Sequence, residues 1–215
     1  MPRPTGTKAQ TRLRSRPITT PNAYFFGYGS LVNRDTHGFE GAQTATLTGW
    51  RRTWRHTTLR QIAYLTAVPD PTCTIDGLIA PVPDHDWAAL DQRERAYARV
   101  PAAHQVTHAL THQPEIAVYA IPDGHHSAPN TRHAVLLSYL DVVVQGYLRE
   151  FGEPGVTRFF DTTQGWDAPM LDDRANPSYP RHCTLRADET ALVDHHLRRL
   201  GVTLLGDENP TPWRE

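Results

Sequence analysis

The apolar positions of the chain follow two regimes. Between Ala23 and Ile121 they come in short runs broken by Pro, Asp, Gly and Thr, whereas beyond about Thr131 they spread at helical spacing. Short bounded runs predict strands. The first, AYFFGYGSL from Ala23, predicts a buried strand feeding a tight loop at Gly27-Tyr28-Gly29-Ser30. Further strands are predicted over Ala45–Arg55, Ile62–Val68, Ile75–Pro81, His104–Ala109 and Ile116–Ile121. A helix over about Asp86–Tyr97 interrupts them, and a second runs from near Thr131 to Phe151. Mostly irregular, Pro-rich chain then leads to a last helix over Asp188–Leu200. No repeat of solenoid or propeller period is present. Strands first and long helices late predict an α+β domain with a largely antiparallel sheet or small barrel.

Composition narrows the function classes. The 215 residues suit one domain with its own core, and the mean hydropathy of -0.53 describes a soluble globular chain. No apolar run approaches the roughly 20 residues that span a bilayer. With 22 basic against 23 acidic side chains, no global field draws the chain to nucleic acid or an anionic membrane; a small molecule or protein partner is favoured. Residues 1–21 read as a disordered basic tail, since Arg3, Lys8, Arg12, Arg14 and Arg16 meet no acid and almost nothing apolar. Removing that +5 from the formal -1 leaves the remaining body, 22–215, at -6. The two cysteines, Cys73 and Cys183, have no CxxC companion, which fits a reducing, cytoplasmic setting and indicates no disulfide framework or zinc knuckle.

Candidate chemistry concentrates in DWAALDQRERAY. On a wheel of ~100° per residue, Glu94 falls within ~60° of Trp87, Leu90, Tyr97 and Ala98, the middle of the apolar face. A carboxylate turned inward is costly unless paired or neutral, and burial raises its pKa toward the range of a general acid or base. Periodicity leaves a structural ion pair with an arginine equally open. The Gly27–Ser30 loop is the second feature: glycines spaced by one residue permit positive φ and leave N–H groups uncovered for an anion or a developing oxyanion. It has neither the third glycine of a dinucleotide fingerprint nor the Lys-Ser/Thr of a P-loop.

Taken together, YFFGYGSL and, some sixty residues on, LDQRERAY resemble the gamma-glutamylcyclotransferase-like superfamily, which includes ChaC-type glutathione-specific enzymes and gamma-glutamylamine cyclotransferases. The resemblance is clearest from about Tyr24 to Tyr119. It implies a small mixed, largely antiparallel β-barrel flanked by helices, with a C-terminal helical and irregular extension from about residue 127. It implies an enzyme that cyclises a gamma-glutamyl group to 5-oxoproline and needs neither cofactor nor metal. Glu94 would be its proton-transfer residue, and Gly27, Tyr28, Gly29, Ser30, Leu31 and Tyr97 would bind substrate. A non-catalytic gamma-glutamyl-binding or structural domain of the same fold is the alternative.

Other residues carry weaker signals. Tyr28 and Tyr97 serve equally as packing aromatics. Arg51, Arg52, Arg93, Arg174 and Arg181 are candidates for a substrate carboxylate. GYGS is not a nucleophile elbow, which argues against Ser30 as nucleophile. The pairs His125-His126 and His195-His196 are adjacent rather than one helical turn apart, a poor metal-ligand spacing.

Overall fold

The computed structural model describes residues 22–57, 62–122, 124 and 126–206; the expected basic tail lies outside them. The elements, in chain order, are β1 (Ala23–Gly27), β2 (Gln43–His56), β3 (Ala63–Pro81), α1 (Trp87–Arg93), β4 (Ala98–Pro101), β5 (Val106–His108), β6 (Glu115–Ala120), β7 (Val135–Leu136), α2 (Leu137–Asp161), β8 (Thr163–Gln164), β9 (Met170–Leu171), α3 (Ala187–Leu200) and β10 (Leu204–Leu205). The main sheet runs β4-β6-β1-β3-β2-β5, with β8 added beside β2, and curls into a half-barrel. It is mixed: β1 pairs antiparallel with β3 but parallel with β6. This is the expected α+β architecture.

Position β1 explains its composition. Lying between two strands and covered on both faces, it buries Ala23, Tyr24, Phe25 and Phe26, a continuous apolar run rather than an alternating one. Its C-terminal end therefore opens from the centre of the sheet, which is where the GYGS loop begins.

Three boundaries differ from the sequence expectation. The strands expected at Ile62–Val68 and Ile75–Pro81 are one strand, β3, because Asp70–Cys73 bulge out opposite Gly49 while β2 and β3 pair on either side. Pro69 and Pro71 are exposed there and break no ladder. Arg51 fixes the bulge through Asp70 at 2.6 Å. The helix expected from Thr131 starts at Leu137, since Val135–Leu136 are drawn into parallel pairing with β9. It continues past Phe151 to Asp161: the backbone breaks at Gly152 (φ 66, ψ -174), and Pro154 stands in the first turn of the renewed helix, where it needs no N–H donor.

Although most of α2 lies C-terminal to the motif region, it is a core element. Leu137, Leu140, Val143, Val144 and Tyr147 pack beneath the sheet, nearly sealed from solvent. Burying each such side chain contributes about 1.5–3 kcal/mol. Arg174 joins α2 to α3, meeting both oxygens of buried Asp141 at 2.8 Å and Asp194 at 2.7 Å.

Candidate active site

The loop after β1 is held on all sides. Val32 N–H donates to Gly29 O and Asn33 N–H to Ser30 O, both at 3.0 Å, closing a single 3₁₀ turn over Ser30–Val32. The fully buried Asn33 side chain donates to Val142 O (3.0 Å) and Gln145 Oε1 (3.1 Å), seating the turn on α2. His37 Nε2 donates to Leu31 O at 2.8 Å while its Nδ1 accepts Phe39 N–H. Burial pushes the His37 pKa down, so the neutral imidazole that these two bonds require is the favoured form.

Gly27 and Gly29 are needed for room, not for left-handed backbone. Neither has positive φ, which corrects the expectation from sequence. A Cβ on Gly27 would collide with Leu31, and one on Gly29 would stand 2.5 Å from the Tyr139 hydroxyl. Burial raises the pKa of that hydroxyl, and the nearby Ser30 backbone lowers it by a smaller amount. The N–H groups of Gly29 and Leu31 meet no acceptor among the described residues, so they are the loop's available donors.

Glu94 is placed differently from the helical-wheel expectation. Asp86 caps α1 by accepting Ala89 N–H at 3.0 Å, but the helix ends at Arg93 and Glu94 is its C-cap, with φ -94 and ψ 29. Tertiary structure overrides the helical pattern: Tyr97 is anchored through its hydroxyl to Leu65 O at 3.2 Å, and Ala98 begins antiparallel pairing with β6. The Glu94 side chain is consequently half-buried, 30% exposed, instead of enclosed in the core. Arg93 Nε stands 3.4 Å from Glu94 Oε1.

Tyr119 on β6, which the sequence reading did not single out, connects the two motifs. Its carbonyl accepts the Tyr28 hydroxyl at 2.6 Å, and its own hydroxyl donates to Asp91 Oδ1 at 2.5 Å. Tyr28 also accepts Ala67 N–H at 3.1 Å, so its ring is a pin across the sheet. Asp91 belongs to the same short helix that ends at Glu94. Burial, the largest cause, raises the pKa of Tyr28, Tyr97, Tyr119 and Tyr139 above the usual phenol value, and the Glu94 charge adds to the rise at the first three. These hydroxyls stay protonated at neutral pH and act as hydrogen-bonding groups, not as bases. Tyr97 N–H donates to Glu94 O at 2.7 Å, which keeps these two residues together.

The five candidate arginines separate clearly. Arg51 and Arg174 are taken up in the ion pairs with Asp70, and with Asp141 and Asp194. Arg52 is fully buried behind the loop, donating to Asp76 O (3.0 Å), Tyr147 Oη (2.8 Å), Thr162 Oγ1 (2.5 Å) and Thr163 Oγ1 (3.1 Å). Arg93 pairs with Glu94 and lies over the Phe39 ring. Arg181 is exposed and has no carboxylate partner among the described residues. His196 stacks on Phe160, and among the described residues no three His, Cys, Asp or Glu side chains converge on a metal position.

The sequence reading missed Tyr119, Tyr139, Asn33 and His37. Only α2 gave a usable signal: the spacing of Leu137, Leu140, Val144 and Tyr147 marks a helix face destined for the core.

Comparison with solved structures finds similar shapes at low identity. A structure described as gamma-glutamyl cyclotransferase is 12% identical over 80% of this chain and 98% of its own, with a TM-score of 0.49. An uncharacterised protein from Homo sapiens is 13% identical over 80% and 97%, TM-score 0.48. A gamma-glutamyl cyclotransferase specific to glutathione from yeast is 13% identical over 84% and 97%, TM-score 0.40. No curated protein sequence matches the chain. The family model described as "Gamma-glutamyl cyclotransferase, AIG2-like" matches residues 25–138, a span that takes in both motifs, the Tyr119 link between them and the start of α2. With more than half of its length matched, the chain belongs to the gamma-glutamyl cyclotransferase, AIG2-like family.

Proposed function

We propose that the protein is a gamma-glutamyl cyclotransferase, converting a small gamma-glutamyl compound to 5-oxoproline and a free amine, amino acid or dipeptide. The observation that carries this reading is the Tyr119 link: one residue fixes the donor-bearing loop through Tyr28 and the Glu94 helix through Asp91.

The reaction is intramolecular. The substrate's α-amine attacks its own γ-carbonyl carbon, the lactam C–N bond forms, and the bond to the leaving nitrogen breaks. The enzyme supplies no nucleophile; it holds the chain folded and manages protons. An α-amine with pKa near ~8 is mostly protonated at neutral pH, so a base must take its proton and an acid must return one to the leaving nitrogen. Glu94 does both in turn. Its side chain, half-buried rather than sealed in, is open to a substrate. The Gly29 and Leu31 N–H groups face the charge that grows on the carbonyl oxygen, each contributing on the order of 3 kcal/mol.

Incubation with glutathione, gamma-glutamyl amino acids and gamma-glutamylamines, followed by chromatographic detection of 5-oxoproline, tests the proposal. Product formation that survives exhaustive chelation is expected. No product from any of the three classes refutes it and leaves a binding domain.

A further inference from the structure

The segment between β9 and α3 packs against Ser138 and Tyr139 at the start of α2, next to the loop. Asp173, 1% exposed, pins it: Oδ1 accepts Ser138 N–H (2.8 Å), while Oδ2 accepts Ser138 Oγ (2.6 Å) and Ser178 N–H (2.8 Å). Tyr179 N–H adds a bond to Ser138 Oγ at 3.3 Å, and His182 N–H donates to Tyr179 O at 3.0 Å. Tyr179 is therefore held in place through its backbone, and Arg181 follows two residues on at an exposed position.

Together they are a pair of donors suited to an anion. The Tyr179 hydroxyl is buried with no hydrogen-bond partner among the described residues, an arrangement that proteins rarely tolerate without a ligand or water. The Arg181 guanidinium lies 5.7 Å from the centre of the Tyr179 ring and carries a charge that no described carboxylate answers. The Tyr179 ring packs edge-on against Tyr139 at 5.0 Å, and the Tyr139 hydroxyl stands directly against Gly29 of the loop. An orphaned hydroxyl and an unanswered guanidinium thus stand one side chain away from the substrate loop.

Their position indicates which end of a substrate they meet. Glu94 closes the short helix that Asp91 ties to Tyr119, whereas Tyr179, with Arg181 over its ring, reaches the loop at Tyr139. The α-amine and the α-carboxylate share one carbon, so a base serving the amine keeps both at the Glu94 end. The group beyond the γ-carbonyl then extends toward Tyr139 and Tyr179.

We propose that Arg181 and the Tyr179 hydroxyl form a clamp for a carboxylate on the leaving group, so that the protein acts on gamma-glutamyl amino acids or peptides in preference to gamma-glutamylamines. The proposal rests on the cyclotransferase reading of the site. A guanidinium and a phenol hydroxyl are a matched donor pair for a carboxylate's two oxygens, and such charge-assisted bonds are the stronger kind.

Gamma-glutamyl-alanine and gamma-glutamyl-ethylamine differ only by that carboxylate. Wild-type kcat/KM is expected to favour the alanine compound by at least about 10-fold. Arg181→Ala, a change at an exposed position, should raise KM for the alanine compound by a similar factor and leave the ethylamine compound unchanged. Arg181→Lys should recover part of the loss, because it keeps the charge but not the fork. Equal losses on both compounds, or none, overturn the clamp. Calorimetric binding of the two compounds to Glu94→Gln separates this proposal from the reading beneath it. A binding preference that Arg181→Ala abolishes upholds the clamp even if the wild type makes no 5-oxoproline, and equal affinities overturn it even if it does.

Discussion

Gly29→Ala isolates the packing that gives the loop its shape. The added Cβ would lie 2.5 Å from Tyr139 Oη, so one of the two must retreat by ~1 Å to reach ordinary contact. Tyr139 is poorly placed to yield, being wedged edge-on between Trp54 at 6.0 Å and Tyr179 at 5.0 Å. The loop moves instead, at about 1–3 kcal/mol for overpacking. Chemical denaturation should therefore show a loss of roughly 1–3 kcal/mol, and a ~1 Å displacement of the donors should lower turnover by about 10²-fold. The second variant makes the reasoning testable. Tyr139 Cζ is 3.8 Å from the same Cβ, so Tyr139→Phe removes the clash and keeps the ring. Gly29→Ala combined with Tyr139→Phe should be more stable than the sum of the single losses by about 1–3 kcal/mol. Strict additivity, or a Gly29→Ala protein as stable as wild type, would refute the account of the loop.

Two titration predictions follow from the same structure. Arg51, with the Thr72 hydroxyl and amide, holds the Asp70 carboxyl down at about 2. A folded pKa below the unfolded value near ~3.9 means that its contribution to stability is complete above that value and is lost as pH falls through about 2. Carboxyl NMR titration of Arg51→Ala should show the Asp70 midpoint rising, and an unmoved midpoint would count against the pair. Burial, with Asp141 nearby, pushes the Cys183 thiol up to about 11. Alkylation by iodoacetamide at pH 8, followed by mass spectrometry, should then be about 10²-fold slower than for free cysteine, whereas a matching rate would contradict it.

What the sequence revealed and what it concealed divide along the range of the interactions. β1 and α3 are readable because a continuous apolar run and a capped amphipathic segment are local properties; α3 begins within a residue of its expected start. β3 was hidden by Pro69 and Pro71, which read as breakers until the bulge opposite Gly49 gives them an exposed place. α1 carries a helical pattern as far as Tyr97, but the pairing of β4 with β6 claims the chain after Glu94. Both motifs were visible as strings of residues, yet nothing local says that Tyr119 joins them, that Asn33 ties the loop to α2, or that Tyr179 packs on Tyr139 beside it. Contacts across 91 and 109 residues, as at Tyr28–Tyr119 and Asn33–Val142, leave no periodic trace.

Glu94→Gln bears most directly on the central claim, because it keeps the side chain's shape and removes its ability to take a proton. Glu94 is half-buried and faces the half-exposed Arg93 at 3.4 Å, so losing that ion pair should cost no more than about 1 kcal/mol and move the melting temperature by only a few degrees. Production of 5-oxoproline should fall by about 10²- to 10⁴-fold. A folded, inactive variant is the predicted result; a variant that retains full turnover, or one that no longer folds, would contradict Glu94 as the group that moves the proton.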